Sequence, residues 1–591
     1  MPVPGTTIER GAITSDADIG VSASQMPYAG QSENDQKLAE KIVRRQSRLE
    51  DERQLVESQW DMVDEFIIAR RAVWDLGQRR GRLVGEKVGE KIYDGTAAGA
   101  GQDLADGLQG QSASAGLVWW AAHFRNKLAQ KDYIARQWID EIQDGASTEM
   151  AQSDLYRQLN QAYQDAVFMG TATMAKPIWR SDLSRLVYRT HHPREIYIAR
   201  DDDGIINLWH RKFPMTNRNI ADKFGMQKLN LQLRQQVEQN PYGRRMVIHA
   251  IFLNTERDTR KWTSENKKIA SVYVLENEKL ILRKSGFDDW PLCTWSWRLD
   301  SQETYGRGPA MDTLFEAAST NSAMHYLLDA AQLSVQKPMT AQESLKNKIK
   351  ISPWGITWLA QGEQPPRELF NARSEYPIGV DQLMKLREEL RDKFKSKTFM
   401  LLSQLTAQTQ RMNMMQIGEI QGEKAAMLGP IVTPNQAELL CPLINATVSV
   451  LMANGRLPPP PPSLARYANS PVDLEFLGPI AVAQKRYLQM QGINPFLSRL
   501  VGDTPLLKVW PEMKDKVKAD ELFDYLFESD GAPSKLEQDP ATLQQIRLQK
   551  QKMQQQQMQL ALAEKAAKIH KDTTQAPEPG SPAEQATGGG Q

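Results

Sequence analysis

The sequence predicts an α+β fold that is mainly α-helical and built in several parts along 591 residues. Three observations lead to this fold class. Helical periodicity runs through most of the chain, whereas residues 171–300 are rich in β-branched and aromatic residues between turn signals. A chain of this length also exceeds what one hydrophobic core supports. Hydrophobic residues make up 40% and charged residues 25%, so the composition is that of an ordinary globular protein.

The N-terminal third is predicted to be helical. Residues 1–35 are rich in Gly, Ser, Asp and Pro, and we expect them to be disordered. Residues 36–170 then form the helical part, in which Leu49, Arg53, Trp60 and Val63 fall near one face. The last helical pattern of this part, residues 137–170, predicts one or two helices that end at Gly170.

Residues 171–300 are predicted to be a β-rich insertion. The run Asp201-Asp202-Asp203-Gly204 is typical of a tight hairpin turn between two strands. A short helix is expected near residues 217–224, and further strands follow it.

A helical hairpin with an irregular excursion is predicted next. Gly308-Pro309 starts the first helix, within residues 301–337, because proline is favoured at the first helical position. Residues 338–376 are punctuated by Pro and Gly, and helix returns at 377–397. One narrow apolar stripe marks this return helix, formed by Leu383, Leu386, Leu390 and Phe394.

The segment 398–413 is unusual, because it is polar but carries a single charge, Arg411, and contains no Gly or Pro. Helix resumes in residues 414–457, where Thr433, Pro434 and Gln436 predict the start of a new helix by a capping box. Five prolines at 458–462 open the next part, residues 458–540. Residues 541–570 form a glutamine-rich helix, and the tail 571–591 is expected to be disordered.

The global charge and the cysteines limit the class of protein. The net charge is +1, so no bulk field attracts this chain to nucleic acid or to a membrane. Two distant cysteines fit a reduced cytosolic compartment and exclude a disulfide scaffold. Neither a transmembrane segment nor a signal peptide is predicted, so we expect a protein that is soluble and intracellular where it is made.

No motif predicts an active site, a metal or a cofactor. "GTAAGAG" at 95–101 resembles a phosphate-binding loop, but no Lys-Ser/Thr follows it, and close helix packing explains its small residues better. The aspartates 201–203 are better explained by a turn than by a metal site. His191 and His192 are adjacent in an extended segment and point to opposite sides, so they are poor joint ligands. We therefore expect a structural or binding protein and not an enzyme.

Three stretches, taken in order, resemble one known family. They are "YGRGPAMDTLFEAASTN" (305–321), "LTAQTQRMNMMQIGEIQGEKAAMLGPIVTPNQAELLCPLI" (405–444) and "VDLEFLGPIAVAQKRY" (472–487). The chain resembles the portal proteins, or head-to-tail connectors, of short-tailed (podovirus-type) bacteriophages over about residues 36–550. Gln408 and Thr409 stand where an acidic residue usually follows "TA" in that family.

The resemblance implies a ring, usually of twelve subunits, at one capsid vertex. Such a ring is the DNA channel for packaging and ejection, the dock for the packaging terminase and the attachment point of the tail. The implied partners are further copies of the chain, non-specifically bound double-stranded DNA, terminase, a tail adaptor protein, and capsid and scaffolding proteins, with no membrane. The implied location is the head–tail junction of the virion, after assembly in the cytoplasm of the bacterial host.

The resemblance also implies names for the parts of the chain. Residues 36–170, 171–300 and 414–457 would form the wing, residues 301–337 and 377–397 the two stem helices, and residues 338–376 the clip. Residues 398–413 would be the tunnel loop and residues 458–540 the crown, and residues 541–570 are a candidate helical barrel.

Three sets of candidate site residues follow. The first is a tunnel loop that touches DNA without anchoring it, consisting of Ser403, Gln404, Thr406, Gln408, Thr409, Gln410 and Arg411. The second is a channel-facing basic set on the second stem helix, consisting of Lys385, Arg387, Arg391, Lys393, Lys395 and Lys397. The third is a partner surface on the clip, consisting of Lys346, Lys348, Lys350, Trp354 and Trp358.

Each set has a simpler alternative. The tunnel loop is alternatively a helix–helix connection whose Leu and Met residues pack in the core. The stem set, opposed by Asp381, Glu388, Glu389 and Asp392, is alternatively an ordinary solvated helix face. The clip tryptophans alternatively serve the small core of the clip itself. At the level of the whole chain, the alternatives are a helical adaptor that oligomerises through its C-terminal helix without touching DNA, and a DNA-processing enzyme with a diverged site.

Overall fold

The computed structural model describes residues 32–68, 92–130, 132–258, 260, 263–335, 339–346, 349, 356–368, 376–395, 428–462, 464, 471–478 and 540–574. The helices are α1 (Glu33–Phe66), α2 (Thr96–Ser112), α3 (Lys127–Gln130), α4 (Tyr133–Gln152), α5 (Leu155–Met169), α6 (Asn217–Phe224), α7 (Leu231–Gln239), α8 (Pro309–Asp312), α9 (Leu314–Val335), α10 (Tyr376–Lys393), α11 (Leu428–Ala453) and α12 (Pro540–Thr574).

The strands are β1 (Trp120–Phe124), β2 (Thr171–Arg180), β3 (Arg185–His191), β4 (Ile196–Arg200), β5 (Ile206–Thr216), β6 (Arg244–Leu253), β7 (Ile269–Leu275), β8 (Leu280–Phe287), β9 (Leu292–Ser296), β10 (Met339–Thr340), β11 (Arg367–Glu368) and β12 (Val472–Phe476). Helices and sheets are therefore mixed, and the predicted α+β class is confirmed.

The predicted β-rich insertion forms two antiparallel sheets. One has three strands in the order β3-β2-β9, and the other has five strands in the order β4-β5-β6-β7-β8. The turn between β4 and β5 lies at the predicted aspartates, where the Asp201 carboxylate accepts from the Ile205 amide (2.7 Å) and Gly204 has a φ of +78°. The predicted short helix is α6, which Thr216 caps through the amide of Asn219.

A further strand pair was missed by the sequence patterns. β1 lies in the part predicted to be helical, and it pairs antiparallel with β12, which follows the proline run. The Arg125 guanidinium forms a bidentate pair with the Asp473 carboxylate, with Nη2 2.7 Å from Oδ1, so that side chains extend the contact beyond the strands. This pair joins the segment between α2 and α3 to the segment that precedes α12.

One large core joins most elements. It includes residues of α1, α2, α4, α5, the three-stranded sheet and α11, and its largest fully buried side chains include Trp60, Trp120, Trp209 and Trp295. A second, smaller core lies between α6, α7 and the strands β5, β6, β7 and β8 of the five-stranded sheet. The start of α1 packs on the same sheet through a third cluster that contains Ala39 and Ile42.

The long helix α11 differs from the prediction. Thr433 does not cap a new helix, because the chain is already helical at Leu428 and Pro434 itself has helical angles (φ −62°, ψ −38°). The turn that follows, Asn435–Leu440, is π-helical, and the Cys441 amide donates to the Gln436 carbonyl five residues earlier. The predicted end is confirmed, with Asn454 as the C-cap.

α11 is long and apolar enough to span a membrane by length and composition, with 26 residues. Half of its most apolar part is buried inside the protein, and Leu439, Leu443, Ile444 and Val448 belong to the large core. Its apolar character therefore follows from core packing.

The segment before α8 is held against the end of α5. The Gly306 amide donates to Thr171 Oγ1 (2.9 Å), and the Trp297 amide donates to the Gly170 carbonyl (2.9 Å). Gly308 is the N-cap of α8 and Pro309 its first residue, as predicted. At Thr313 the backbone leaves helical angles (φ −106°, ψ 14°), which ends α8, and α9 then begins at Leu314. The Thr313 hydroxyl donates back to the Pro309 carbonyl (2.9 Å).

Candidate functional site at the stem and clip

The two predicted stem helices, α9 and α10, pack against each other and run antiparallel. Glu316 near the start of α9 pairs with Lys393 at the end of α10, whereas Leu327 in the second half of α9 lies against Gly379 near the start of α10. A Cβ on Gly379 would lie 2.7 Å from Leu327 Cδ2, so the helices approach closely here. The stem hairpin is therefore a defined structural unit.

One amide side chain fixes α9, the first predicted stem helix, to α1 and α2. Asn321 Nδ2 donates to the carbonyl of Phe66 at the end of α1 (3.0 Å) and to that of Ala317 in α9 (3.0 Å). Its Oδ1 accepts from the amides of Tyr93 (2.9 Å) and Asp94 (2.8 Å), which precede α2. Asn321 is buried, so these four bonds meet the full hydrogen-bonding needs of the side chain and hold three helices at one point.

The second stem helix joins the same point through an ion pair. Arg387 Nε and Nη2 each lie 2.7 Å from Asp94 Oδ2, and the Asp94 side chain is only 3% exposed. Burial would raise the pKa of Asp94, but hydrogen bonds from Thr96 and from Arg387 outweigh burial and hold this pKa below its usual range. We call Arg387, Asp94 and Asn321 the stem–wing joint.

The exposed side of α10 is acidic. Leu383, Leu390 and Phe394 are buried, which confirms the predicted apolar stripe, and Leu386 is half-buried. At about 100° per residue, the face opposite to this stripe carries exposed residues. They are Asp381, Lys385, Glu388, Glu389 and Asp392.

The basic residues of α10 therefore do not form one face. Arg387 and Lys393 lie at the edges of the buried stripe and pair with Asp94 and with Glu316. The hydrogen bond from Lys393 holds the pKa of Glu316 below its usual range. Lys385 and Arg391 are exposed.

α10 ends earlier than predicted. Its last residue is Lys393, and Lys395 has a φ of +53°, a left-handed conformation that ends the helix. Lys395 is exposed just beyond the helix, whereas Lys397 lies outside the described residues. The channel-facing role of this set stays a prediction.

The described part of the segment predicted to be the clip, residues 338–376, closes at its base. β10 pairs antiparallel with β11, with Met339 opposite Glu368 and Thr340 opposite Arg367, so the excursion returns to where it left the stem. Leu345 is buried, whereas Lys346 is exposed and the Trp358 side chain is 86% exposed. Lys348, Lys350 and Trp354 lie outside the described residues.

The whole predicted tunnel-loop set also lies outside the described residues. It consists of Ser403, Gln404, Thr406, Gln408, Thr409, Gln410 and Arg411. These residues stay predictions from the sequence.

The glycine-rich stretch at 95–101 starts α2. Ala97 and Ala100 are buried and Gly101 packs closely, as the sequence indicated, whereas nothing lies within 4 Å of a Cβ added at Gly95 or Gly99. A Cβ on Gly101 would lie 2.6 Å from the Phe168 ring and 3.4 Å from the Phe394 ring. Phe394 is the last buried residue of the apolar stripe of α10. Among the residues that the structure describes, no group of three or more His, Cys, Asp and Glu side chains is placed to hold a metal ion.

Comparison with known proteins gives the class. The family model described as "Bacteriophage head to tail connecting protein" matches residues 39–536. A "Portal protein" of Salmonella phage epsilon15 is 26% identical over 556 residues, covering 91% of this chain and 95% of that protein. A "Probable portal protein" of Bordetella phage BPP-1 is 26% identical over 492 residues, covering 82% of this chain and 86% of that protein.

The family model covers most of the chain, so this chain belongs to the bacteriophage head to tail connecting protein family. The family resemblance read from the sequence is thereby confirmed. The family is one of structural proteins at the junction of phage head and tail, and its name indicates no enzymatic activity.

Proposed function

We propose that this chain is a phage portal protein, which forms a ring at one capsid vertex and passes double-stranded DNA during packaging and ejection. The observation that carries this proposal is the match to portal proteins over nearly the whole length of both chains. In more detail, we propose a ring of twelve subunits that binds the packaging terminase and a tail adaptor protein. The ring also contacts capsid and scaffolding proteins but no membrane. It assembles in the cytoplasm of the host.

The charge of α10 supports a channel that lets DNA slide. A protein that makes six to ten phosphate contacts gains about 10³–10⁵ in salt-sensitive affinity. A ring that repeats an exposed cation without nearby carboxylates in every subunit would therefore act as a clamp. In this chain, two of the basic side chains of α10 are paired with carboxylates at its edges, and four acidic residues surround Lys385 on its outward face. We propose that this acidic face lines the channel, with the tunnel-loop residues 398–413 as its only close contact with DNA.

The exposure of the clip supports a partner surface. Trp358 is almost wholly exposed and Ile356, Leu359 and Met339 are also exposed in the single chain. Large apolar side chains that gather at a surface are typical of protein interfaces. We propose that the clip, with Lys346 beside it, contacts the terminase or the tail adaptor protein.

Electron-microscope class averages of the purified protein, together with its mass in solution, test the proposal. We expect rings with an open centre wide enough for duplex DNA. A monomer or a small closed oligomer that is stable across concentration and salt would contradict the portal function and favour the adaptor alternative.

A truncation separates the portal from the adaptor. The adaptor alternative places oligomerisation in the C-terminal helix, where Met553 and Leu560 are exposed in the single chain. Removal of residues 541–591 should leave rings intact if the portal proposal holds, whereas the adaptor alternative requires that oligomers disappear. Cleavage of DNA or hydrolysis of nucleotide by the pure protein would instead support the enzyme alternative.

A deletion tests the tunnel loop. Removal of residues 403–410 should impair DNA packaging or retention of the packaged genome while rings still form. Unchanged packaging and unchanged retention would show that these residues are a simple helix connection.

A further inference from the structure

The outward face of α9 carries large aromatic side chains that are exposed in the single chain. At about 100° per residue, the residues of this face follow one another along a single stripe of the helix. They are Phe315, Ser319, Ser322, Tyr326, Asp329 and Leu333. All six are exposed, and Phe315 and Tyr326 are 84% and 70% exposed. We call these six residues the α9 stripe.

An exposed helix face is usually rich in charged residues, whereas the α9 stripe has one. α9 contains no Lys or Arg in its 22 residues, and its two carboxylates have partners within the chain. Glu316 pairs with Lys393, and Asp329 Oδ2 lies 3.1 Å from His325 Nδ1. Aromatic side chains without surrounding charge are typical of protein interfaces. We therefore expect another protein surface to cover the α9 stripe.

α10 has a matching edge, which points away from its own α9. Met384 is 54% exposed, and Arg391 is exposed about 20° from it around the helix. Met384 lies about 180° around α10 from Lys393 and about 140° from Gly379, the residues that contact α9 in the same chain. We call Met384 and Arg391 the α10 edge. A thioether and a guanidinium both pack favourably on aromatic rings, so this edge suits the α9 stripe chemically.

Contacts within the stem hairpin give the relative heights of the two helices. Glu316 pairs with Lys393, and Arg387 Nη2 lies 3.9 Å from Met324 Sδ. The helices are antiparallel, so each residue forward along α9 corresponds to about one residue backward along α10.

The α9 stripe and the α10 edge match in height. By the register of the hairpin, Tyr326 is level with Met384 to within about one helical turn. Phe315 is level with Arg391 to within about one turn as well. Neighbouring subunits of a ring are related by rotation about its axis, and this rotation leaves heights along the axis unchanged. The aromatic residues of one subunit would therefore reach the α10 edge of the next subunit where the stem helices run along the axis.

We propose that, in the ring proposed above, the α9 stripe of each subunit packs on the α10 edge of the next subunit. Tyr326 then packs against Met384 of the next subunit. Phe315 packs against Arg391 of the next subunit. This inference rests on the proposed function, because it requires a ring whose stem helices run along the axis. The acidic face of α10 lies about 80° further around the helix, at Asp392, so this contact does not cover it.

Cysteine crosslinking of the full-length protein tests the contact. The two surfaces differ, so the contact is head-to-tail, and position 326 of one subunit meets position 384 of the next. In the variant Tyr326→Cys/Met384→Cys, treated with a short bismaleimide, we expect a ladder of covalent oligomers on a denaturing gel. Each single variant, which retains the native Cys293 and Cys441, should give no such ladder.

The matched control for the crosslink is Tyr326→Cys/Lys385→Cys. Lys385 is exposed on the acidic face, about 100° around α10 from Met384. Because this face is turned away from the proposed contact, the control variant should give a much weaker ladder than Tyr326→Cys/Met384→Cys.

The dissociation of rings provides a second measurement. In Phe315→Ser/Tyr326→Ser, the subunit concentration at which half of the rings dissociate should rise by about tenfold or more, because two aromatic contacts are lost at every interface. Analytical ultracentrifugation measures this concentration. The control is Tyr242→Ser, at a 75% exposed position in the β-rich insertion, which should leave the dissociation unchanged.

The outcomes separate this inference from the portal proposal. Rings in the unaltered protein, without a ladder from the 326/384 variant, would overturn this inference and leave the portal proposal intact. Crosslinked dimers from Tyr326→Cys alone would show that two α9 stripes face each other, and crosslinks confined to one chain would show that no second copy covers the stripe; both would overturn the inference. Absence of rings in the unaltered protein would contradict the portal proposal, and this inference with it.

Discussion

The backbones of Gly170 and Gly306 touch, and a side chain on either residue would collide with the carbonyl oxygen of the other. A Cβ on Gly306 would lie 2.5 Å from the Gly170 oxygen, and Gly170 also has a φ of +80°, which side chains rarely tolerate. Gly308 lies equally close to the carbonyl of Val167, 2.5 Å from an added Cβ. Both glycines of the "YGRGP" stretch therefore allow the close backbone contact between the start of α8 and the end of α5.

We expect Gly306→Ala to lower the free energy of unfolding by about 3 kcal/mol or more, because backbone and not a flexible side chain fills the space. Urea denaturation measures this change. The control is Gly110→Ala in α2, where nothing lies within 4 Å of an added Cβ, and which should be neutral or stabilising by up to about 1 kcal/mol. Similar losses in both variants would contradict the close contact.

The stem–wing joint predicts different effects for two cations of the same helix. Arg387→Gln leaves the buried Asp94 carboxylate without its charged partner, so we expect a loss of about 2 kcal/mol, below the value for a fully buried pair because the Arg387 side chain is 34% exposed. Lys385→Gln, on the exposed face, should change stability by less than about 0.5 kcal/mol. Chemical denaturation of the two variants side by side decides whether the joint carries this energy.

Acid should destabilise the β-rich insertion through its buried histidines. Burial lowers the pKa of His210 to about 3, and burial together with nearby cations lowers those of His191 and His249. Unfolded histidines titrate near 6.5, so between the two pKa values the unfolded state binds more protons, and stability is full above about pH 6.5 and falls as the pH falls.

Each such histidine should lower the free energy of unfolding by about 1 kcal/mol at pH 5.5, relative to neutral pH. Thermal midpoints measured from pH 7.5 to 5 test this, and His210→Gln should reduce the pH slope by about one proton. A flat profile in the unaltered protein would contradict the prediction.

Reversing the charge of the acidic α10 face should turn the proposed channel into a clamp. The double change Glu388→Lys/Asp392→Lys adds positive charge at two exposed positions in every subunit. We expect tighter, strongly salt-dependent DNA binding by the ring and slower DNA passage. Gel-shift titration over a salt series measures the first effect, and an unchanged salt dependence would show that this face does not meet DNA.

Trp358→Ala should leave the folded subunit unharmed and weaken partner binding. Its side chain is largely exposed, so truncation costs little core packing, less than about 0.5 kcal/mol. Pull-down or calorimetric titration with terminase and with tail adaptor protein should show weaker binding to one of them. Loss of the folded state would instead assign this tryptophan to the core of the clip.

Local signals in the sequence predicted what is locally determined. The β-rich part predicted from residue 171 onward begins with β2 (Thr171–Arg180), and Gly170 and Pro309 mark the helix end and start that glycine and proline favour. The apolar stripe of α10 also followed directly from its spacing. These features depend on neighbours within a few residues.

Features that depend on distant partners were not predicted. The capping box at Thr433 predicts the start of a new helix, because the residues around it do not reveal that the chain is already helical from Leu428. Arg387 was grouped with the other cations of α10, although its partner Asp94 lies 293 positions earlier. The strand pair β1–β12 was missed for the same reason, since "WAAHF" shows no alternation of its own and its partner comes much later.

That strand pair also sets the timing of folding on the ribosome. Arg125, directly after β1, pairs with Asp473 on β12, and the two residues are 348 positions apart. At about 5–20 residues per second, a nascent chain waits roughly 17–70 s after making β1 before β12 emerges. Until then the unpaired edge of β1 is exposed, and the subunit is incomplete. Newly made chains therefore cannot reach their finished shape, or meet other finished copies, before β12 has been synthesised.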